Sequence, residues 1–306
     1  RNQARDLMQD MVQRLGQSHF AIIPGEAYEE DVIADEATAD AATPSTAGET
    51  PGEHAPKPKR RRLGRGEGSS GVEVRVIDGE AVVTAVDPGS AGADAGVLPG
   101  WIISKVDGRE LKPRLATIAE AHADSSSQSY YIAATAMAAL AGGDGDSMDV
   151  EFLDADRTPV TKELTLKKAD GELTAFGNLP KMYLRIDSRR VQESIQYFRF
   201  NMFFDPSRIS TELAKAVKEA RDQDAKGFII DLRGNPGGIG AIAMGVGGWF
   251  IDAKNQKLGT MTTRNGTINF VIYPRLNGYR GPLAVLIDGM SASTSEIFAA
   301  GMKDLN

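Results

Sequence analysis

With 306 residues, 41% of them hydrophobic and 25% charged, the chain is long enough for about two domains with real cores. A formal net charge of −7 does not suggest a nucleic-acid partner, and the absence of cysteine excludes disulfides, thiol nucleophiles and cysteine-ligated metal. No window approaches the roughly 18 uninterrupted apolar residues of a membrane span.

The first residues, Arg1-Asn2-Gln3-Ala4-Arg5-Asp6, are not a signal peptide, and the chain reads as beginning within a helix, which leaves room for an upstream signal. Leu7, Met8, Met11, Val12 and Leu15 recur at helical spacing, so residues 1–24 are expected to be a helix followed by a short extended piece. That piece contains Ser18-His19, between the helix and the apolar run Phe20-Ala21-Ile22-Ile23. Residues 25–68 change character. Glu29 to Asp40 is acidic and alanine-rich, Thr43 to Pro58 is rich in Pro, Thr and Gly, and Lys57-Pro58-Lys59-Arg60-Arg61-Arg62 is basic. Few large apolar residues are available to offset ordering entropy, so a flexible linker is expected, its basic run a solvated counterpart to the acidic stretch.

From Gly71 short strands are expected: Val72 to Val76 alternates, Ala81 to Val86 follows a turn at Asp78-Gly79, and Asp87-Pro88-Gly89-Ser90 breaks the chain. Leu115 to Leu140 reads as a helix with a long polar interruption at Asp124 to Ser129. Asp205-Pro206 starts a further helix, with Ile209, Leu213, Val217 and Ala220 as its apolar stripe. A buried strand, Phe228 to Leu232, then runs into Arg233-Gly234-Asn235-Pro236-Gly237-Gly238, where two adjacent glycines can turn successive amides into one anion-binding concavity. Gly238-Ile239-Gly240-Ala241-Ile242-Ala243 fits a dinucleotide fingerprint, but no acidic residue about 20 positions on ends a second strand, and Lys254 to Tyr273 reads as short strands around Asn265-Gly266. Finally Ala284 to Asp288 is a strand that passes through Gly289-Met290-Ser291-Ala292-Ser293 directly into a helix. Ser293 at that helix N-terminus has two readings. It is a helix cap, since Ser293-Thr294-Ser295-Glu296 fits the capping box, or an acyl-transfer nucleophile beside unpaired amides.

The runs Asp231 to Gly238 and Ser291 to Ala299, in this order and spacing, resemble the serine peptidase family of the C-terminal processing proteases and the tricorn core. The resemblance implies Ser293 as nucleophile, with Ser291 and Ser295 as alternatives, and oxyanion donors from Gly237 or Gly238 and the Thr294 amide. Processing proteases of this family take a lysine some two dozen residues beyond the serine as base, a point that lies past Asn306. Lys303 is about three turns down the helix from Ser293 and out of reach. The tricorn branch uses a histidine with a neighbouring serine, which Ser18-His19 matches. The reading adopted is therefore Ser293 with His19 as base and Ser18 orienting it, and no metal or cofactor.

Residues 69–168 resemble a bacterial PDZ domain through Ala95-Gly96, Pro99-Gly100 and Asp107-Gly108, with Trp101 where aspartate is usual. Gly68-Ser69-Ser70-Gly71 would be its carboxylate-binding loop, and a peptide C-terminus would add as a strand along Gly71, Val72 and Val74. The implied architecture is α/β. It comprises a helical segment (1–28), a linker (29–68), an inserted PDZ domain (69–170) and a ClpP/crotonase-like peptidase core (171–306), incomplete at its C-terminal end. The implied function is a serine endopeptidase acting on protein or peptide substrates through their C-termini, in an exported compartment, with no membrane span and with homo-oligomer formation left open. The alternatives are a Ser/Lys processing protease and a catalytically inactive, PDZ-containing peptide-binding protein.

Overall fold

A computed structural model describes residues 67–175 and 182–305, all within one compact unit. The expected N-terminal helix, the linker and the pair Ser18 and His19 lie outside the described residues.

The first part is an antiparallel sheet. Strand β1 (Val72–Ile77) buries Val72 and Val74 and turns through Asp78 and Gly79 into β2 (Glu80–Val86). Both turn residues have positive φ, 50° and 76°, the conformation a two-residue hairpin needs to match the twist of its strands. Ser90 then caps a short helix, α1 (Ala91–Asp94), its hydroxyl accepting from the Ala93 amide at 3.2 Å. Strand β3 (Ile102–Val106) leads to helices α2 (Leu111–Ala121) and α3 (Gln128–Ala139), and β4 (Ser147–Leu153) and β5 (Pro159–Thr165) complete the sheet. The order is β1-β2-β3-β4-β5, which leaves β1 at an edge, with a short strand, Arg109–Glu110, beside β3.

The stretch 115–140 is thus two helices. In the polar run between them the Ser125 amide turns back to the His122 carbonyl at 2.9 Å, and Gln128 Nε2 donates to the Ala119 carbonyl at 2.7 Å, so local polar groups take up the backbone bonds that a continuous helix would use. Ile103, Leu115, Met148, Phe152 and Leu164 form the core against this sheet, and Trp101 packs on Phe152 at 5.7 Å between ring centres.

The second part is a mixed sheet. Strands β6 (Ile186–Val191) and β7 (Ile195–Phe200) form a hairpin; β8 (Gly227–Asp231) lies parallel to β7, and β11 (Leu283–Leu286) parallel to β8. The parallel crossover from β7 to β8 is α4 (Pro206–Asp222), which starts at Asp205, whose Oδ1 accepts from Arg208 N at 3.0 Å, and which buries Ile209, Leu213, Ala216, Val217 and Ala220. Helix α5 (Gly240–Gly247), the hairpin β9 (Lys257–Thr263) and β10 (Gly266–Val271), and helix α6 (Thr294–Asp304) cover the sheet. Its core is aromatic, with Phe198, Phe200, Phe203, Phe228 and Phe298 almost wholly buried.

Two features of this layout position the site. Asp231 and Leu286 are register partners at the ends of adjacent parallel strands, so the turns that leave β8 and β11 emerge side by side. Ion pairs then join the two sheets at that end, Arg75 to Asp288 at 2.9 Å and Arg199 to Glu73 at 2.5 Å.

Candidate active site

Ser293 stands at the N-terminus of α6 with φ 54° and ψ −114°. That conformation is strained for a residue with a Cβ, at a cost of order 1–3 kcal/mol, and such strain persists only where the surroundings enforce it. A strained serine at a strand-to-helix turn holds its hydroxyl out from the backbone, and the half-buried Ser293 has that placement. The carboxylate of Glu296 accepts from the Ser293 amide at 2.7 Å and the Ser293 side chain faces the Glu296 amide, so both halves of the capping box expected from the sequence are present.

The neighbouring serines are engaged otherwise. Ser291 Oγ donates to the Leu232 carbonyl at 2.7 Å and accepts from the Asp288 amide at 3.0 Å. Ser295 is fully buried and donates to the Asn235 carbonyl at 2.9 Å. Both hydroxyls fasten the serine turn to the glycine turn, and of the three serines Ser293 is the one not buried.

The glycines lie against this turn. A Cβ on Gly237 (φ 97°) would sit 2.6 Å from the Ala292 carbonyl oxygen and 2.9 Å from Ser293 Cβ, and one on Gly238 (φ 136°) would sit 2.3 Å from the Phe203 carbonyl oxygen, so only glycine lets these backbones approach. Their amides differ. The Gly237 N–H is held by Asn235 Oδ1 at 2.9 Å. The Gly238 N–H and the Thr294 N–H, the latter at the first position of α6, have no acceptor among the described residues.

Asn235, Asp231 and Asp288 build the walls. Asn235 is fully buried; its Nδ2 donates to the Phe200 carbonyl at 2.9 Å while its own carbonyl receives Ala292 N and Ser295 Oγ, so it links both turns to β7. Asp231, also fully buried, accepts from Tyr197 OH at 2.7 Å and from Arg233 Nε at 2.8 Å. Burial alone would push its carboxyl up, but the hydrogen bonds from Arg233 and Tyr197 outweigh burial and hold it below the usual carboxylate range. The same pairing raises Arg233, and burial with the Asp231 bond raises Tyr197. Asp288 Oδ1 accepts from Gly234 N at 2.9 Å and Met290 N at 3.0 Å, tying the start of one turn to the other.

The structure therefore brings together Ser293, Thr294, Gly237 and Gly238, while Ser18 and His19 lie outside the described residues. Sequence reasoning passed over Asn235, Tyr197 and Asp288. A buried-type amide inside a Gly-Asn-Pro-Gly-Gly turn was the signal for the first; nothing local marks Tyr197, whose partner Asp231 is distant in sequence, or the bond of Asp288 to the distant Gly234.

Gly71 and Val72 line a cavity of about 660 Å³ between the two sheets, together with Met137, Leu140 and Arg185. Val74 lines another, of about 480 Å³ and mainly apolar, between β1, α2 and α3, whose rim includes Asp288, Gly289 and Met290. Among the described residues no group of three His, Asp or Glu side chains could hold a metal ion, and no helix is long and apolar enough to cross a membrane.

Residues 194–306 match peptidase family S41. The chain is 25% identical over 234 residues to the carboxy-terminal processing protease CtpA of Bacillus subtilis, covering 76% of this chain and 43% of that one. It is 28% identical over 247 residues to the carboxy-terminal-processing protease of Bartonella bacilliformis, covering 78% and 48%. It thus spans less than half the length of these relatives. The photosystem II D1 C-terminal processing protease shares its mixed α/β fold, with a TM-score of 0.52 at 18% identity over 100% of this chain and 68% of that one. Over residues 194–306 the chain is thus similar to peptidase family S41, and the relatives it resembles along three quarters of its length are carboxy-terminal processing proteases.

Proposed function

We propose that the chain carries the nucleophile and oxyanion site of a serine endopeptidase that hydrolyses peptide bonds in protein substrates. The observation that supports this most directly is the strained Ser293 beside two amides, those of Gly238 and Thr294, that have no acceptor among the described residues. His19, oriented by Ser18, takes the proton from Ser293 Oγ as the oxygen adds to the peptide carbonyl carbon, and the two amides hold the resulting oxyanion. The C–N bond then breaks with the proton passed to the departing amine, and water hydrolyses the acyl-serine by the same route. Gly237, its N–H engaged by Asn235, serves through its lack of a side chain.

On this reading 69–170 is a PDZ-type module inserted ahead of a ClpP/crotonase-like core. A substrate C-terminus adds to the free edge of β1 along Val72 and Val74, with its carboxylate at Ser70 and Gly71, since Gly68–Ser69, expected as part of the loop, is a short strand between Ala141–Gly142 and Lys167–Lys168. The second choice of base is a lysine, as in the processing proteases that the sequence resembles, and the reading includes work in an exported compartment.

The test is fluorophosphonate labelling with peptide-level site mapping on wild type, Ser293→Ala and His19→Ala. Labelling at Ser293 that is lost in both variants is the expected result. Labelling that survives His19→Ala assigns the base to a lysine. A folded wild type that does not label makes Ser293 a helix cap and the protein a peptide-binding module.

A further inference from the structure

We infer that the side-chain hydroxyl of Thr294 is a positioning group that locks the two oxyanion donors to each other; this rests on the reading of Ser293 as nucleophile. Thr294 brings two groups to the site. Its N–H is one of the amides without an acceptor among the described residues, and its Oγ1 donates to the carbonyl oxygen of Gly238 at 2.8 Å. Gly238 carries the other such amide, so one hydrogen bond joins the two residues whose N–H groups would share the oxyanion.

Gly238 needs such a restraint. Its φ of 136° lies where a glycine finds a broad basin, and rotation about its backbone would redirect its N–H. The flanking peptides are held from one side only: the Phe203 amide donates to the Gly237 carbonyl and the Ile239 amide to the Phe203 carbonyl, each at 2.8 Å. The Gly238 carbonyl is the remaining handle, and Thr294 holds it from the side of α6. Thr294 is 2% exposed, so water does not compete for this bond. An oxyanion hole works when both donors stand about 2.7–3.1 Å from the position the oxyanion will take, and a misplacement of about 1 Å costs on the order of a hundredfold in rate. The hydroxyl thus sets the separation of the donors without touching substrate.

The test compares wild type, Thr294→Val, Thr294→Ser and Ser293→Ala as full chains. It measures the second-order rate of labelling by a fluorophosphonate, whose phosphoryl oxygen occupies the oxyanion position, and kcat and KM on fluorescein-labelled casein. Thr294→Val is near-isosteric and is expected to lower the labelling rate and kcat about ten- to hundredfold, with KM within about twofold of wild type. Thr294→Ser restores the hydroxyl and is expected to stay within about threefold of wild type. Should Thr294→Val not fold, Thr294→Ala, which leaves space instead of filling it, is expected to show the same rate loss. A hydroxyl-free variant that labels at the wild-type rate overturns the inference, as does a folded Thr294→Ser as slow as Thr294→Val, which would place the effect in packing. Wild-type labelling indifferent to Ser293→Ala would instead remove the nucleophile reading, and this inference with it.

Discussion

The two sheets bury their residues in different ways. Along β1 every second side chain enters the core, Val72 and then Val74, whereas in β8 Gly227, Phe228, Ile230 and Asp231 are all buried. An antiparallel sheet with one wet face needs only alternation; a parallel sheet covered on both faces needs an almost unbroken apolar run. The difference teaches where chemistry can be placed. Alternation spreads polar groups along one face, while the covered sheet releases its polar groups only where the strands stop. Asp231, at the end of β8, is a charge in an apolar layer and survives there through Tyr197 and Arg233. The candidate site begins at that residue.

If the two cores are separate in this sense, large truncations should part them. Phe298→Ala, in the aromatic core beneath α6, is expected to cost about 3–5 kcal/mol in urea unfolding and to lose labelling at Ser293. Phe152→Ala should cost a similar amount in the antiparallel core yet leave the labelling rate of the folded protein within about twofold. Loss of labelling in a folded Phe152→Ala protein would show that the first core also shapes the site.

A smaller effect should follow the buried charge. Asp231→Asn is expected to cost about 2 kcal/mol at neutral pH, less than a fully buried pair because Arg233 is partly exposed. The folded carboxyl lies below its unfolded value, so at intermediate acid pH the unfolded chain binds more protons than the native one. The contribution is then full above the ordinary carboxylate range near 4 and is lost as pH falls through the folded value. Chemical unfolding measured from pH 7 down to pH 3 should show an acid-dependent difference between wild type and variant that shrinks toward low pH; a constant difference would mean that Asp231 acts through shape and not charge.

The smallest effect should come from the ion pairs between the sheets. Arg75→Gln removes a partner of Asp288 at 2.9 Å, with the two side chains 24% and 15% exposed, and is expected to cost about 1 kcal/mol, falling further in high salt. A salt-independent loss above about 3 kcal/mol would contradict the division into two cores, since the pair would then be holding one structure together.

Much of the fold was legible in local pattern. The strands β1, β2 and β8, the stripe of α4 and the strand-to-helix passage at Ser293 all follow from periodicity and turn residues, which act over a few positions. The break between α2 and α3 was visible as a polar interruption, but Ser125 and Gln128 had to supply the competing bonds before it became two helices. The glycine turn was marked by composition, yet the difference between its two amides was not. Asn235 takes the Gly237 N–H while β7 holds its side-chain amide and α6 holds its backbone carbonyl, from 35 and 60 residues away.

What the amino-acid sequence determined by itself is therefore the local kit: two strands ending in turns of small residues, glycines that permit positive φ, and three serines at every second position across the start of a helix. Periodicity and backbone sterics settle those without distant help. Which serine stays out of the core, which amides remain open, and what keeps Asp231 charged were decided by tertiary structure. Each depends on hydrogen bonds across the ends of parallel strands, whose register brings together residues that no local rule relates.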